Sequence, residues 1–595
     1  MKKLLSGNEA AALGAHIAGV RYASAYPGTP STEILEYLAH MSGVRAEWAS
    51  NEKVSLDAVA GASYAGARAL AAMKHVGLNV ASESLFFLSY TGVNGGLVLI
   101  SADDPGAFSS QNEQDNRHYA RFAKVPCLEP ADSQETMEFV SLAFDLSEQF
   151  DTPVMVRLTT RISHSKSAVE VPEVRRETTC ERKEFVRDPA KYTMTPANAR
   201  RRHPIVEERL KRLSAWANTA SINSVEWGDR KIGIVASSVA YQYAREIFDG
   251  YSFLKLGMSY PLPRKLICEF ASQVEKLVVI EELDPFFEHE IRAMGIEVVG
   301  KEFFPMTDEF TLAVVRAGAQ KFGLEQAKSF TPPPPRQFNP PARTPALCPG
   351  CPHRSTFYAL RKMKVYVAGD IGCYSIGALP PFNAMDTIGC MGASFSVAHG
   401  VDAVGANSVK KRWVAVIGDS TFFHAGMPAL ANIIYNQGSS TLLILDNDTT
   451  AMTGMQDHAG TGLTLQGRQS RKIDIEAVVR AMGVDDVFVV DSFDEPAVEA
   501  TIKKAMAIEG RPSVVISRGP CVFLDQYPEK YVDEVDQEKC NGCSVCFRVG
   551  CPAIFAGELD AGTGKPKALI DPLLCVGCDI CEQVCPWDAI ERVPS

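Results

Sequence analysis

The chain has 595 residues, enough for about four domains of ordinary size and several hydrophobic cores, which excludes a peptide hormone or a single small module. Charged residues are 22% and hydrophobic ones 46%, and 60 Lys and Arg stand against 71 Asp and Glu for a net charge of −11, a balance that argues against a nucleic-acid partner. No run reaches the ~20 apolar residues that span a bilayer, and the apolar N-terminal stretch is broken by Asn8, Glu9 and His16, so neither a membrane span nor an export signal is expected.

Up to about residue 160, short apolar runs such as 96–100 and 154–156 alternate with Ala/Gly-rich stretches such as 61–73, read as helical; the pattern predicts α/β structure around a mostly parallel sheet in a first domain, 1–160. From 161 to 229 the chain is more charged, with one amphipathic helix at 204–216, and reads as a connector. Strand-like runs at 232–236, 253–256 and 276–280 predict a second, smaller α/β domain over 230–325. Prolines at 332–335 and 340–341 stiffen a linker, 326–345, which no sheet ladder can absorb. A third α/β domain spans 346–525, with strands at 365–368, 413–417, 441–445 and 513–516. The tail, 529–595, carries twelve acidic and six basic residues, over half of the whole chain's charge imbalance.

Eight of the 16 cysteines lie between Cys540 and Cys585, at metal-binding spacings that point to a reducing cytoplasm rather than a disulfide framework. Cys540-x2-Cys543-x2-Cys546-x4-Cys551-Pro552 is followed by Cys575-x2-Cys578-x2-Cys581-x3-Cys585-Pro586. Soft thiolates, three on one tight loop and a fourth remote, suit two 4Fe-4S clusters. In two-cluster ferredoxin folds the fourth cysteine of each run serves the other cluster, which pairs Cys540, Cys543 and Cys546 with Cys585, and Cys575, Cys578 and Cys581 with Cys551. Two four-cysteine zinc sites are the competing reading; the repeated third cysteine and the prolines after the fourth argue against it. The first run has one residue more before Cys551 than the second has before Cys585.

Gly418-Asp419-Ser420 closes one predicted strand, and Asp446-Asn447-Asp448-Thr449 closes the next, 28 residues on from Asp419 to Asn447. Ligands gather beyond the carboxyl ends of parallel strands. Asp419, Asn447 and the Thr449 carbonyl would leave octahedral positions on Mg²⁺ for phosphate oxygens and water, while Gly418 would let the backbone approach a diphosphate. Here the sequence resembles the thiamine diphosphate enzymes, whose diphosphate-binding domain carries Gly-Asp-Gly/Ser and, about thirty residues on, an Asn-containing element. That resemblance implies a second domain offering a carboxylate to N1′ of the aminopyrimidine. Glu52, before the Ala/Gly-rich stretch 58–72, is the candidate, with Glu47 and Glu9 as rivals; the plain alternative is a glutamate that complements a helix dipole.

Taken together, the chain resembles the 2-oxoacid:ferredoxin oxidoreductases. Tyr26-Pro27-Gly28-Thr29-Pro30-Ser31-Thr32-Glu33 is similar to that family's N-terminal element, which implies that Thr29 approaches the substrate keto group. Cys348-Pro349-Gly350-Cys351-Pro352-His353 resembles its loop at the cofactor, read as lining with free thiols at Cys351, and 388–394, with Gly392, resembles its small-residue turn beside the diphosphate. His353, His399, His424 and His458 are candidate proton carriers, though each taken alone is more often a structural or orienting residue. The domain order implies multidomain thiamine diphosphate-binding parallel-sheet domains with a transketolase-C-like domain and a C-terminal two-cluster ferredoxin-like α+β domain. It further implies oxidation of an arylpyruvate with coenzyme A as co-substrate, ferredoxin as acceptor, and a separate smaller β subunit carrying a γ-type domain, as α2β2. Another 2-oxoacid substrate, non-oxidative decarboxylation to an aldehyde, and a pure electron-transfer subunit are the other readings.

Overall fold

The computed structural model describes residues 1–172, 183–323, 344–404, 413–524 and 531–594; the proline runs at 332–335 and 340–341 lie outside them. The chain forms two compact units, Met1–Arg336 and Gln337–Ser595.

The first unit is built on a seven-stranded sheet in the order Met258–Tyr260, Cys127–Leu128, Val154–Thr159, Leu97–Asp103, Ala69–Lys74, Tyr22–Ala25, Arg45–Trp48. All neighbours are parallel except the edge strand Met258–Tyr260, which the chain supplies from beyond residue 230. Here the structure corrects the helical reading of 61–73. The helix Glu52–Tyr64 ends before Gly66, whose φ of +85° breaks it, and Ala69–Lys74 is a central strand buried along its whole length. A strand covered on both faces shows no alternation, and small alanines let helices approach it closely; that is why it reads as a helix in one dimension.

The smaller sheet of this unit runs Lys276–Ile280, Asp229–Ala236, Tyr251–Lys255, Ser224–Glu226, the last strand antiparallel. The stretch expected as a connector also contributes structure: Lys166–Glu170 pairs with Lys2–Ser6, and the helix expected at 204–216 runs over Pro196–Ala217. Thr195 caps its first turn and Pro196 begins it, so the start lies eight residues earlier than amphipathicity alone indicates.

Buried ion pairs brace this unit, and one of them, Arg117 with Glu281, joins the seven-stranded sheet to the four-stranded one. Arg117 bridges Asp115 and Glu281, and Arg157 bridges Asp103 and Glu129. Glu282 lies beside them, accepting a hydrogen bond from the Phe310 N–H at 2.7 Å, and burial pushes its carboxyl up to about 7. A carboxyl raised on folding leaves stability intact below its unfolded pKa and erodes it as pH rises toward the folded one. Glu282→Gln keeps the shape and removes the charge. Its melting temperature is expected to lie close to wild type near pH 5 and above it at pH 8, where the wild type carries a penalty of about 3 kcal/mol; thermal unfolding at the two pH values checks this.

The second unit holds a six-stranded, wholly parallel sheet: Thr387–Ile388, Tyr366–Gly369, Trp413–Gly418, Thr441–Asp446, Ser513–Arg518, Asp486–Asp491. Its core is the continuous apolar run of the central strands, with Val414, Val416, Ile417, Ile444, Val515 and Ile516 fully buried, each side chain contributing about 1.5–3 kcal/mol. After it come two antiparallel pairs, Tyr531–Val535 with Ile590–Pro594 and Ile554–Leu559 with Pro566–Ile570. Among the described residues no helix is long and apolar enough to cross a membrane.

Candidate active site

In the first unit, the loop carrying Thr29 is pinned from several sides. Gly28 N–H donates to Thr32 Oγ1 at 3.0 Å, the Asn8 amide donates to the Pro30 carbonyl at 2.7 Å, and Ser109 Oγ donates to the Thr29 carbonyl at 3.4 Å. Lys74, at the end of the central strand, passes beneath this loop; a Cβ on Gly28 would lie 3.2 Å from its own Cβ. Burial pulls the Lys74 ammonium down to about 8, with Asp104 opposing, and it donates to the Ser109 carbonyl. Glu52 opens its helix behind Asn51, whose side chain accepts from Val54 N–H at 2.8 Å, and is only 7% exposed. Its carboxylate packs on the first turn of the helix His75–Thr91: a Cβ on Gly77 would meet Glu52 Oε1 at 2.6 Å. The rivals have structural duties. Glu9 closes a capping box with Ser6, and Glu47 accepts from Tyr22 Oη and from Arg45 Nε.

In the second unit, Asp419 and Asn447 stand at the carboxyl ends of neighbouring strands, both buried. Asp419 accepts from Ser420 N–H at 2.7 Å and Asn447 N–H at 3.1 Å, and lies 3.3 Å from His458 Nε2. Burial disfavours its charge, but His458 outweighs that and holds the carboxyl below its usual range. The Asn447 amide places one terminal atom 3.2 Å from the Thr449 carbonyl oxygen and 3.3 Å from Asp419 Oδ1; as nitrogen it donates to both, and turned over it offers its oxygen to a cation held among the three groups. Three acceptors in contact repel one another unless a cation sits among them. Octahedral Mg²⁺, bound at about 2.1 Å, places adjacent ligand oxygens about 3 Å apart, so this trio fits it.

Around the trio, Ser420 Oγ accepts from Thr450 Oγ1 at 2.8 Å, and burial pulls the His353 imidazole down to about 4, so it is neutral at physiological pH. Gly392 has φ of +83°, a conformation suited to glycine, and its N–H donates to Asp370 at 3.0 Å. A Cβ on Gly418 would lie 2.7 Å from Tyr374 Cε1, so the glycine makes room for a buried ring. His353 and His458 both act on Asp419, whereas His399 packs against Gly438, before the amino end of the strand Thr441–Asp446.

The thiols form three groups. Cys540, Cys543, Cys546 and Cys585 line one cavity of about 350 Å³, together with Val535, Trp587 and Ile590. Cys551, Cys575, Cys578 and Cys581 line another of about 330 Å³, so the fourth cysteine of each run stands with three of the other. Before Cys551 the chain makes a single turn, Cys546–Val549, closed by Gly550 at φ of +69°. Burial pushes Cys546 up to about 11 and Cys578 up to about 12, so a metal entering these cages displaces protons.

The third group is the one that sequence spacing did not bring out. Cys351 is acted on by Cys373 and Cys348, Cys373 by Cys521 and Cys348, and Cys521 by Cys348. Cys373 and Cys521 follow the carboxyl ends of the strands Tyr366–Gly369 and Ser513–Arg518, a position that was itself the available signal. Cys348, Cys351, Cys373 and Cys521 are all free thiols, near enough to feel one another's charge.

Residues 13–216 match the family described as pyruvate flavodoxin/ferredoxin oxidoreductase, thiamine diphosphate-binding; 370–517 match the thiamine pyrophosphate enzyme C-terminal binding domain, and 539–589 the 4Fe-4S dicluster domain. The chain is 42% identical to the indolepyruvate oxidoreductase subunit IorA of Pyrococcus horikoshii over 100% of its own length and 97% of the relative's. It is 41% identical to the IorA subunit of Pyrococcus abyssi, covering 99% and 97%, and 40% identical to that of Archaeoglobus fulgidus, covering 100% and 98%. Agreement along the whole length, over the same segments that carry the carboxylate, the oxygen trio and the cages, places the chain in the family of IorA subunits of indolepyruvate oxidoreductase, among the thiamine diphosphate-dependent 2-oxoacid:ferredoxin oxidoreductases.

Proposed function

We propose that the protein catalyses the oxidative decarboxylation of aryl 2-oxoacids such as indolepyruvate, giving an aryl-acetyl-CoA and CO₂ and reducing ferredoxin. The observation that carries this reading is that one unit holds both an oxygen trio fit for a metal-bound diphosphate and, sharing the 348–351 loop, cages fit for iron-sulfur clusters. Thiamine diphosphate, when bound, supplies the nucleophilic carbon and the electron-accepting ring. Asp419, Asn447 and the Thr449 carbonyl would hold Mg²⁺, and His353, neutral through burial, adds no positive charge of its own beside it. Glu52 holds the proton at N1′ of the aminopyrimidine. Thr29 takes the substrate's keto oxygen, and Lys74, beside its loop, attracts the substrate carboxylate. For each turnover one CO₂, one proton and two electrons leave the substrate and coenzyme A, and the cysteine cages would hold the clusters that accept those electrons one at a time on the way to ferredoxin.

The cysteines take the roles their cages suggest: an outer cluster on Cys540, Cys543, Cys546 and Cys585, an inner one on Cys551, Cys575, Cys578 and Cys581, and a third on Cys348, Cys351, Cys373 and Cys521. A smaller β subunit with a γ-type domain completes an α2β2 enzyme in the cytoplasm. The anaerobic test is dye reduction with arylpyruvate, coenzyme A and a viologen, alongside iron, sulfide and thiamine analysis. Reduction that requires every substrate supports the reading; aldehyde release points to non-oxidative decarboxylation, and filled clusters without turnover point to an electron-transfer subunit. Iron is expected near twelve atoms per chain, falling to about eight in Cys373→Ser, whereas eight in both would remove the third cluster.

A further inference from the structure

Arg354 stands out among the buried cations. It is fully buried, in the first turn of the helix His353–Met363, where the helix dipole opposes a positive charge. Its Nη1 donates to the Val549 carbonyl at 2.9 Å, and its Nη2 donates to the carbonyls of Cys348, at 2.6 Å, and Leu347. Its Nε has no hydrogen-bond partner. Among the described residues no carboxylate forms an ion pair with it, in contrast to the similarly enclosed Arg117, which pairs with two acids, and Arg157, which pairs with three. A buried guanidinium without an anion costs several kcal/mol, so a counter-charge belongs beside it.

The geometry identifies that counter-charge. Arg354 lines the inner cage with Cys551, Cys575, Cys578 and Cys581, and its charge acts on Cys578 on one side and Cys351 on the other. The outer cage has no charged residue in its lining. In the inner cage the opposing charge is Asp533, which Cys581 Sγ approaches at 3.2 Å. The Val549 carbonyl that holds the guanidinium lies between Cys546 and Cys551, in the spacing that is one residue longer than its counterpart.

We propose that Arg354 is the built-in counter-cation of the inner cluster, a positioning residue for electron transfer that raises this cluster's reduction potential and leaves the outer cluster alone. The proposal rests on the cluster assignment above. An added electron is stabilised by a fixed positive charge in a water-poor site, and net charge and hydrogen bonding around the sulfurs are the levers by which a protein sets cluster potentials. The guanidinium also ties the 348–351 loop to the ferredoxin-like fold, keeping donor and acceptor groups in fixed register.

The experiment is an anaerobic redox titration of the holoenzyme, followed by electron paramagnetic resonance, on wild type, Arg354→Gln and Arg354→Lys. The waves are assigned with Cys543→Ser for the outer cluster, Cys578→Ser for the inner one and Cys373→Ser for the third. Wild type lacking 4Fe-4S signals would refute the cluster assignment itself. With clusters present, the glutamine variant is expected to show the inner cluster at least tenfold harder to reduce, about 59 mV, with the outer wave unmoved. The lysine variant, which keeps the charge but not the three-carbonyl grip, is expected within about twofold of wild type. An unmoved inner wave in the glutamine variant, or both waves moving together, overturns the proposal. If the glutamine variant loses iron, the lysine variant decides: a tenfold shift there rejects the charge argument.

Discussion

Asp419→Ala is expected to empty the enzyme of thiamine diphosphate and to lower viologen reduction on the order of a thousandfold. Asp419 is 2% exposed and is the sole carboxylate among the three oxygens that converge with Asn447 and Thr449. Removing it takes away the charge that balances Mg²⁺ and leaves the Ser420 and Asn447 N–H groups and His458 facing a void. A metal ion is worth several kcal/mol to a bound phosphate group, and each 1.4 kcal/mol is a factor of ten. Asp419→Asn keeps the shape and loses the charge, so it is expected to fall between. Thiamine content measured after desalting, with activity at saturating cofactor, gives both numbers. Full retention of cofactor by the alanine variant would rule out the oxygen trio as the diphosphate site.

Glu52→Gln is expected to act in the opposite manner: cofactor stays and turnover falls by about 10²–10⁴, the range that positioned proton transfer contributes. Glutamine preserves the length and planarity of the side chain against Gly77, so folding and binding are spared while the exchangeable proton is lost. Gly77→Ala reaches the same carboxylate from outside, because the added methyl would lie 2.6 Å from Oε1, and is expected to lower kcat in the same direction. Equal kcat in wild type and Glu52→Gln would transfer the proton role to another group.

Some of this architecture is legible one residue at a time. The strands Thr441–Asp446 and Ser513–Arg518 are unbroken apolar runs because they are buried on both faces, and a run of that kind has no other stable home. Asp486–Asp491 escaped notice because it is an edge strand, half exposed and bounded by aspartates, so its pattern is weak. Ala69–Lys74 misleads for the opposite reason: alanine favours helices locally, and only the need for small residues at the centre of a covered sheet makes it a strand.

The amino-acid order by itself determined the chemistry: eight cysteines at cluster spacing, and Asp419 and Asn447 set one strand-helix-strand apart, because local loops and strand ends hold such ligands wherever the chain goes. Tertiary structure alone decided which groups meet. Cys373 and Cys521 are 148 residues apart, and it is two strands of one sheet, with two others between them, that carry them to the same carboxyl edge near Cys348, not spacing. In the sequence Arg354 is a surface-type residue near a helix start. Burial without an acid turns it into a charge that a cluster must answer, since the worth of an ion depends on the water and countercharge around it, which only packing supplies.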